Sequence, residues 1–148
     1  MSPRITRVAR TIEAPADIVW SLLTDAAGYA DWNDAVISID GPIALGNTIE
    51  LVSIANPKRT FKLEVAELRA PEHMVWSDGM PMRLFTGRRT YSISEGPDNG
   101  AGRCEFTMVE EFTGPLAGLI TKAIPDLTDS FNTFADCLKV AAESETTS

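Results

Sequence analysis

Three side chains in the second half of the chain could do polar chemistry among apolar neighbours: Arg89, Tyr91 and Glu110. Arg89 and Tyr91 fall in a row with Phe85 and Ile93, and Glu110 falls in a row with Phe106, Met108 and Phe112. Side chains two apart share one face of a strand, so each row is apolar with one charge in it. An isolated buried charge is expensive, and a pair is the economical arrangement. The two segments are expected to be antiparallel neighbours, which brings Arg89 and Glu110 within reach of each other. Arg10, between Val8 and Ile12, is a third candidate for the same cluster. The alternative is a bulge or register shift that carries Arg89 or Glu110 to a solvated rim.

An arginine stays protonated and anchors a carboxylate or a polarised carbonyl. A glutamate in apolar surroundings is a candidate proton acceptor, and a neighbouring cation or phenol can stabilise the charge that develops. The pair carries its own conflict, because a guanidinium contact makes a carboxylate a weaker base. Other chemistries find little support. The chain has one histidine, His73, expected to be exposed at a strand start, which excludes a multi-histidine metal site. Cys104 and Cys137 are too few and too scattered for a disulfide framework and are expected as buried, reduced thiols. No EF-hand loop or Gly-x-Ser-x-Gly elbow occurs, and the glycines from Gly96 to Gly102 have no helix N-terminus behind them to hold a phosphate. Neither a metal nor a cofactor is expected.

The elements that must position these residues follow from periodicity and turn signals. Arg4 to Glu13 reads as a strand, and Ala14-Pro15 opens a helix with Ile18, Val19, Leu22 and Leu23 as its stripe. Asp25 to Asn33 reads as a short second helix or coil. Six strands then follow: 35–40, 48–54, 59–68, 73–80, 84–94 and 102–112. They are separated by Gly41-Pro42, Asn56-Pro57, Ala70-Pro71, Pro81 and the run Pro97 to Gly100. Connections this short join antiparallel neighbours. On two of these strands Phe61, Leu63, Val65 and Glu67, and Met74, Trp76, Asp78 and Met80, are expected to share a face. After Gly114-Pro115, the apolar residues from Leu116 to Leu138 recur as one face of a helix reaching roughly 40 Å, kinked or split at Pro125. The fold class is α+β, in one domain spanning residues 1–148.

The 148 residues carry a formal charge of −8, from 21 acidic and 13 basic side chains. That balance argues against nucleic acid as a partner and against anionic membrane surfaces. No run approaches the roughly 20 apolar residues of a membrane span, and the N-terminus lacks the apolar stretch of a signal peptide. A cytoplasmic protein, monomer or homodimer, is expected.

The sequence resembles the polyketide cyclase/dehydrase-like branch of the SRPBCC (START/birch-pollen-allergen-like) superfamily, from about Ile5 to Val140. The resemblance rests on the order and spacing of several short markers. These are Ala14-Pro15 with Val19-Trp20 and Leu22 to Asp25; Tyr29 and Trp32-Asn33; Leu45-Gly46; Trp76; Gly87 with Arg89, Tyr91 and Ile93; and Glu110 to Gly114. It implies a helix-grip fold: a seven-stranded antiparallel sheet curled around a long C-terminal helix, with two short helices between strands 1 and 2 and an apolar cavity under the long helix. Many relatives carry histidine where Arg89 stands and proline where Asp34 follows Asn33. The first departure removes a titrating imidazole from the site.

Three functions follow from the resemblance. The first is binding of a small hydrophobic, lipid- or polyketide-like molecule. Its cavity would be lined by Trp76, Met80, Phe85, Tyr91, Met108, Phe112, Leu127, Phe131 and Phe134, with Arg89 and Glu110 orienting the polar end. The second is an enzyme that cyclises or dehydrates a poly-β-ketone, with Glu110 as acceptor and Arg89 or Tyr91 as stabiliser. The third is an accessory protein without chemistry. Against all three stands the alternative that the same side chains fill the space as a solid core.

Overall fold

The computed structural model of the protein describes residues 4–79, 82, 84–95, 102–123 and 126–147. The chain opens with β1 (Arg4–Ile12), α1 (Ala16–Thr24), a 3-10 turn (Ala26–Gly28) and α2 (Tyr29–Trp32). Six strands follow: β2 (Val36–Asp40), β3 (Thr48–Ser53), β4 (Asn56–Arg69), β5 (His73–Gly79), β6 (Thr86–Glu95) and β7 (Cys104–Thr113). The chain closes with α3 (Ala117–Ile120), a 3-10 turn (Thr121–Ala123) and α4 (Thr128–Thr147).

The strands form one antiparallel sheet in the order β1-β7-β6-β5-β4-β3-β2. Six of them meander, and the first strand closes the far side by pairing with the last, Val8 opposite Met108. The result is the expected helix-grip architecture, with the two short helices between β1 and β2.

Alternation along β7 is strict. Cys104, Phe106, Met108, Glu110 and Phe112 are buried, while their intervening neighbours are exposed or half-buried. Helix α4 supplies the opposing layer, burying Phe131, Phe134, Ala135, Leu138 and Ala142 at helical spacing. Each large apolar side chain buried this way contributes about 1.5–3 kcal/mol. Under α4 lies an aromatic cluster. Tyr29 packs on Trp32, Trp76 and Phe134 at centroid distances of 4.9, 6.3 and 5.9 Å. The Tyr29 hydroxyl is satisfied by donating to the Leu23 carbonyl at 2.6 Å.

The structure departs from the sequence-based expectations in several places, among them Cys137, expected buried and found half-buried on α4. The C-terminal segment is split, as expected around residue 125, but its first part is only the short α3 and a 3-10 turn rather than a helix reaching back to Pro115, and α4 starts at Thr128. Asp126 fixes that start, its Oδ1 accepting from the Thr128 backbone N–H at 2.9 Å and from the Thr128 hydroxyl at 2.7 Å. Pro125, the expected kink, lies outside the described residues. Second, β4 begins at Asn56 rather than Arg59. The register between β3 and β4 jumps from Leu51–Phe61 to Ser53–Asn56, so Pro57 sits in a bulge where its missing N–H costs no ladder bond. Third, another register shift between Val65 and Glu67 takes Glu67 off the inner face. Its carboxylate instead meets Arg88 and accepts a 2.8 Å contact from His73 Nε2, which leaves the histidine half-buried rather than exposed. Finally, Arg10 does not join Arg89 and Glu110: its guanidinium donates to Asp136 at 2.8 Å and Asn132 at 2.7 Å on α4.

Gly114 turns the chain from β7 into α3 at φ +107°, a conformation open to glycine and strained for other residues.

Candidate functional site

Arg89 and Glu110 stand directly opposite each other in the β6–β7 ladder. Arg89 Nε donates to Glu110 Oε2 at 2.9 Å, with the two side chains only 16% and 11% exposed. Strand alternation turns both inward, and the ladder sets their spacing. The Arg89 guanidinium also lies 4.9 Å from the centre of the Phe131 ring on α4, a cation–π contact. Burial works against the arginine's charge, but the Glu110 carboxylate, and after it Tyr91, outweighs that cost and raises its pKa. The cation is therefore permanent.

Tyr91 lies two residues further along the same face, fully buried. Burial raises the pKa of its hydroxyl, against the opposing pull of Arg89. The phenol lies near Arg89, yet no hydrogen bond of normal geometry satisfies it. The Trp76 indole on β5 packs edge-on against Tyr91, centroids 4.8 Å apart, and its Nε1–H is likewise buried without a partner.

The pair opens onto a cavity of about 120 Å³ between the sheet and the segment that carries α3. Leu51, Phe61 and Leu63 wall it from β3 and β4, Trp76 and Asp78 from β5, Phe85 and Gly87 from before and within β6, and Glu110 and Phe112 from β7. Ile120 and Leu127 line it from the C-terminal segment, and Ala55, Asn56 and the exposed Arg59 line it from the β3–β4 connection and the start of β4. The size resembles that of a void of about 150 Å³ that holds one benzene ring. At Gly87 an added Cβ would stand 3.1 Å from the Phe112 ring, so the missing side chain lets that ring lie across the strand. Phe112 stacks there on Phe85, centroids 5.5 Å apart.

Of the residues proposed from the sequence, Trp76, Phe85, Arg89, Glu110, Phe112 and Leu127 line this cavity. Met108, Phe131 and Phe134 line a second space of about 30 Å³ that shares Arg89 and Leu127 with the first. Tyr91 lines neither and belongs to the core beneath. Met80 lies outside the described residues. Sequence reasoning missed Leu51, Ser53, Asn56 and Arg59. It put Phe61, Leu63 and Asp78 on inward rows without assigning them to a site. The alternation of Phe61 with Leu63 and of Trp76 with Asp78 was the available signal.

Among the described residues no group of three or more His, Cys, Asp or Glu is placed to hold a metal ion. No helix among them is long and apolar enough to cross a membrane. Burial, and then the charges of Glu105 and Glu95, pushes the Cys104 thiol up to about 11, which makes it an inert core group.

A family model described as polyketide cyclase / dehydrase and lipid transport matches residues 4–143. Among functionally curated proteins none matches the sequence. Solved structures with the same fold include a norcoclaurine synthase point mutant from Thalictrum, in complex with a transition-state analogue. It is 13% identical, with a TM-score of 0.72 over 98% of this chain and 97% of that one. A START superfamily protein from Mycobacterium smegmatis is 15% identical, with a TM-score of 0.67 over 95% and 98% of the two chains.

Proposed function

The chain belongs to the polyketide cyclase / dehydrase and lipid transport family, and from that premise we propose that it binds a small, mostly apolar molecule in the cavity between the sheet and the C-terminal segment. The observation that carries this reading is the wall itself. Phe61, Leu63, Phe85, Phe112 and Leu127 surround a space in which the fixed polar groups include one buried, already neutralised ion pair. Apolar walls with a few convergent polar groups are the usual form of a ligand site. The volume suits one ring or the end of a longer molecule, whose remainder would pass out beside Arg59. Arg89 and Glu110 would orient the polar end.

The test is thermal denaturation against a panel of lipids, aromatic ketones and polyketide-like compounds. A ligand at a hundred times its Kd adds about 2.7 kcal/mol to stability, and the midpoint rises accordingly. A panel that shifts no midpoint would contradict the reading.

A second reading is catalysis of cyclisation or dehydration on the same site. It is supported by Glu110, a buried carboxylate in the cavity wall. Against it, Oε2 of that carboxylate already accepts from the Arg89 guanidinium, so the side chain is engaged in orienting its partner. Glu110→Gln separates the two. If Glu110 is the base, turnover of a converted substrate collapses in the variant; unchanged turnover removes that role.

A further inference from the structure

Two buried donors beside the cavity have nothing to donate to. The Trp76 indole is 1% exposed and forms part of the cavity wall, and its Nε1–H makes no hydrogen bond among the described residues. Tyr91, packed edge-on against it and fully buried, has its hydroxyl near the Arg89 guanidinium, to which it cannot donate, and among the described residues no acceptor takes its proton. Buried polar groups are nearly always paired, because an unpaired one forfeits its hydration without compensation. The same core shows the usual solution, since the Tyr29 hydroxyl, equally buried, donates to the Leu23 carbonyl. Trp32 Nε1 and Asn33 Nδ2 are also unpaired, but neither residue lines the cavity; Tyr91 does not line it either and enters only through its ring contact with Trp76, which does.

The chemistry of the unpaired groups selects the ligand. An indole N–H can only donate, and a phenol hydroxyl beside it can donate as well. The group that satisfies them must accept. Its charge is constrained too: the wall carries two guanidiniums, Arg59 and Arg89, and two carboxylates, Asp78 and Glu110, which balance. Neither an anion nor a cation is favoured.

We propose that the buried end of the ligand is a neutral hydrogen-bond acceptor, a ketone or ester carbonyl oxygen, received by the Trp76 indole N–H with the Tyr91 hydroxyl as the adjoining donor. This rests on the binding role of the cavity and adds to it the identity of the polar group. In this arrangement Arg89 and Glu110 satisfy each other, and the carbonyl is read by tryptophan rather than by the ion pair.

The test compares acetophenone with ethylbenzene, two probes of the same carbon skeleton that differ by a carbonyl in place of a methylene. Affinities are measured by ligand-observed NMR at millimolar concentration for the wild type, Trp76→Phe and Tyr91→Phe. The wild type is expected to prefer the ketone by about tenfold, the worth of one hydrogen bond of ordinary strength. Trp76→Phe lowers affinity for both probes through lost wall area but abolishes the preference; Tyr91→Phe, nearly isosteric, reduces it. In the wild type, acetophenone moves the Trp76 indole proton signal downfield and ethylbenzene does not, a readout that needs no variant to fold. Equal affinity for both probes, or an unchanged ratio in both variants, would overturn the donor assignment and leave the cavity as an apolar site. Failure of both probes to bind the wild type would overturn the binding role itself, and the donor assignment with it.

Discussion

The inner face of the sheet is covered in two different ways. Over β1 and β7, α4 lies as a continuous helix, and Phe134, Ala135, Leu138 and Ala142 share one buried core with Tyr29, Tyr91 and Phe106, with a small space of about 30 Å³ beside Met108, Phe131 and Phe134. Elsewhere the cover is α3 and Leu127, packed on Phe85 and Phe112, and a cavity remains between them and Leu51, Phe61 and Leu63 of β3 and β4. Strands β5, β6 and β7 run through both regions. What differs is the covering segment: a helix with an apolar residue at each inward position fills the space, and a short helix followed by a turn does not. The solid half specifies the fold, and the hollow half carries the site.

If that contrast is real, truncation should cost unequally. Phe134→Ala in the solid half is expected to lose about 3–5 kcal/mol, the usual cost of removing a buried aromatic ring. Leu127→Ala, half-buried at the cavity roof, is expected to lose less than about 2 kcal/mol, because its site is already incompletely packed. Urea denaturation with unchanged slopes measures both. Equal losses would erase the distinction.

A smaller effect concerns the ion pair at the boundary. Glu110→Gln leaves Arg89 buried without its counter-charge and is expected to cost about 3 kcal/mol, while the double variant Arg89→Met/Glu110→Leu recovers most of it. A double variant worse than the single one would mean that the pair holds the sheet together rather than marking the cavity.

The smallest effect lies in the acid limb of stability. Three surface carboxylates have lowered pKa values: Glu67 through hydrogen bonds from His73 and then Arg88, Asp126 through Thr128, and Glu143 through Lys139 and then the Glu13 N–H. Each binds its proton less readily in the folded protein than in the unfolded chain. Their contribution is therefore present above the unfolded values and is lost as pH falls through the lowered ones. Unfolding midpoints should hold down to about pH 4.5 and then decline. Asp126→Asn should flatten part of that decline, as the group that starts α4, while leaving the cavity residues in place.

Much of this architecture is legible in the sequence. Period-two rows around Arg89 and Glu110 place both charges on the inner face, and short turns make their strands neighbours, so the pairing follows. The bulges do not follow, because Pro57 and Glu67 look like ordinary strand punctuation and an ordinary strand charge. Arg10 sits on the expected face, but its partner is decided by which α4 residues pass over β1, a tertiary fact with no local signature. The cavity escapes sequence reading for a related reason. Phe134 and Leu127 carry the same helical pattern, and only the break before Thr128 decides that one fills the space and the other roofs an opening.

The most direct measurement titrates acetophenone into the wild type and into Leu63→Trp, a variant that fills the hollow half from its β4 wall and leaves α4 untouched. Both proteins should show the same cooperative unfolding. The wild type is expected to bind one molecule and the variant none. Equal binding by both would place the ligand elsewhere and contradict the account.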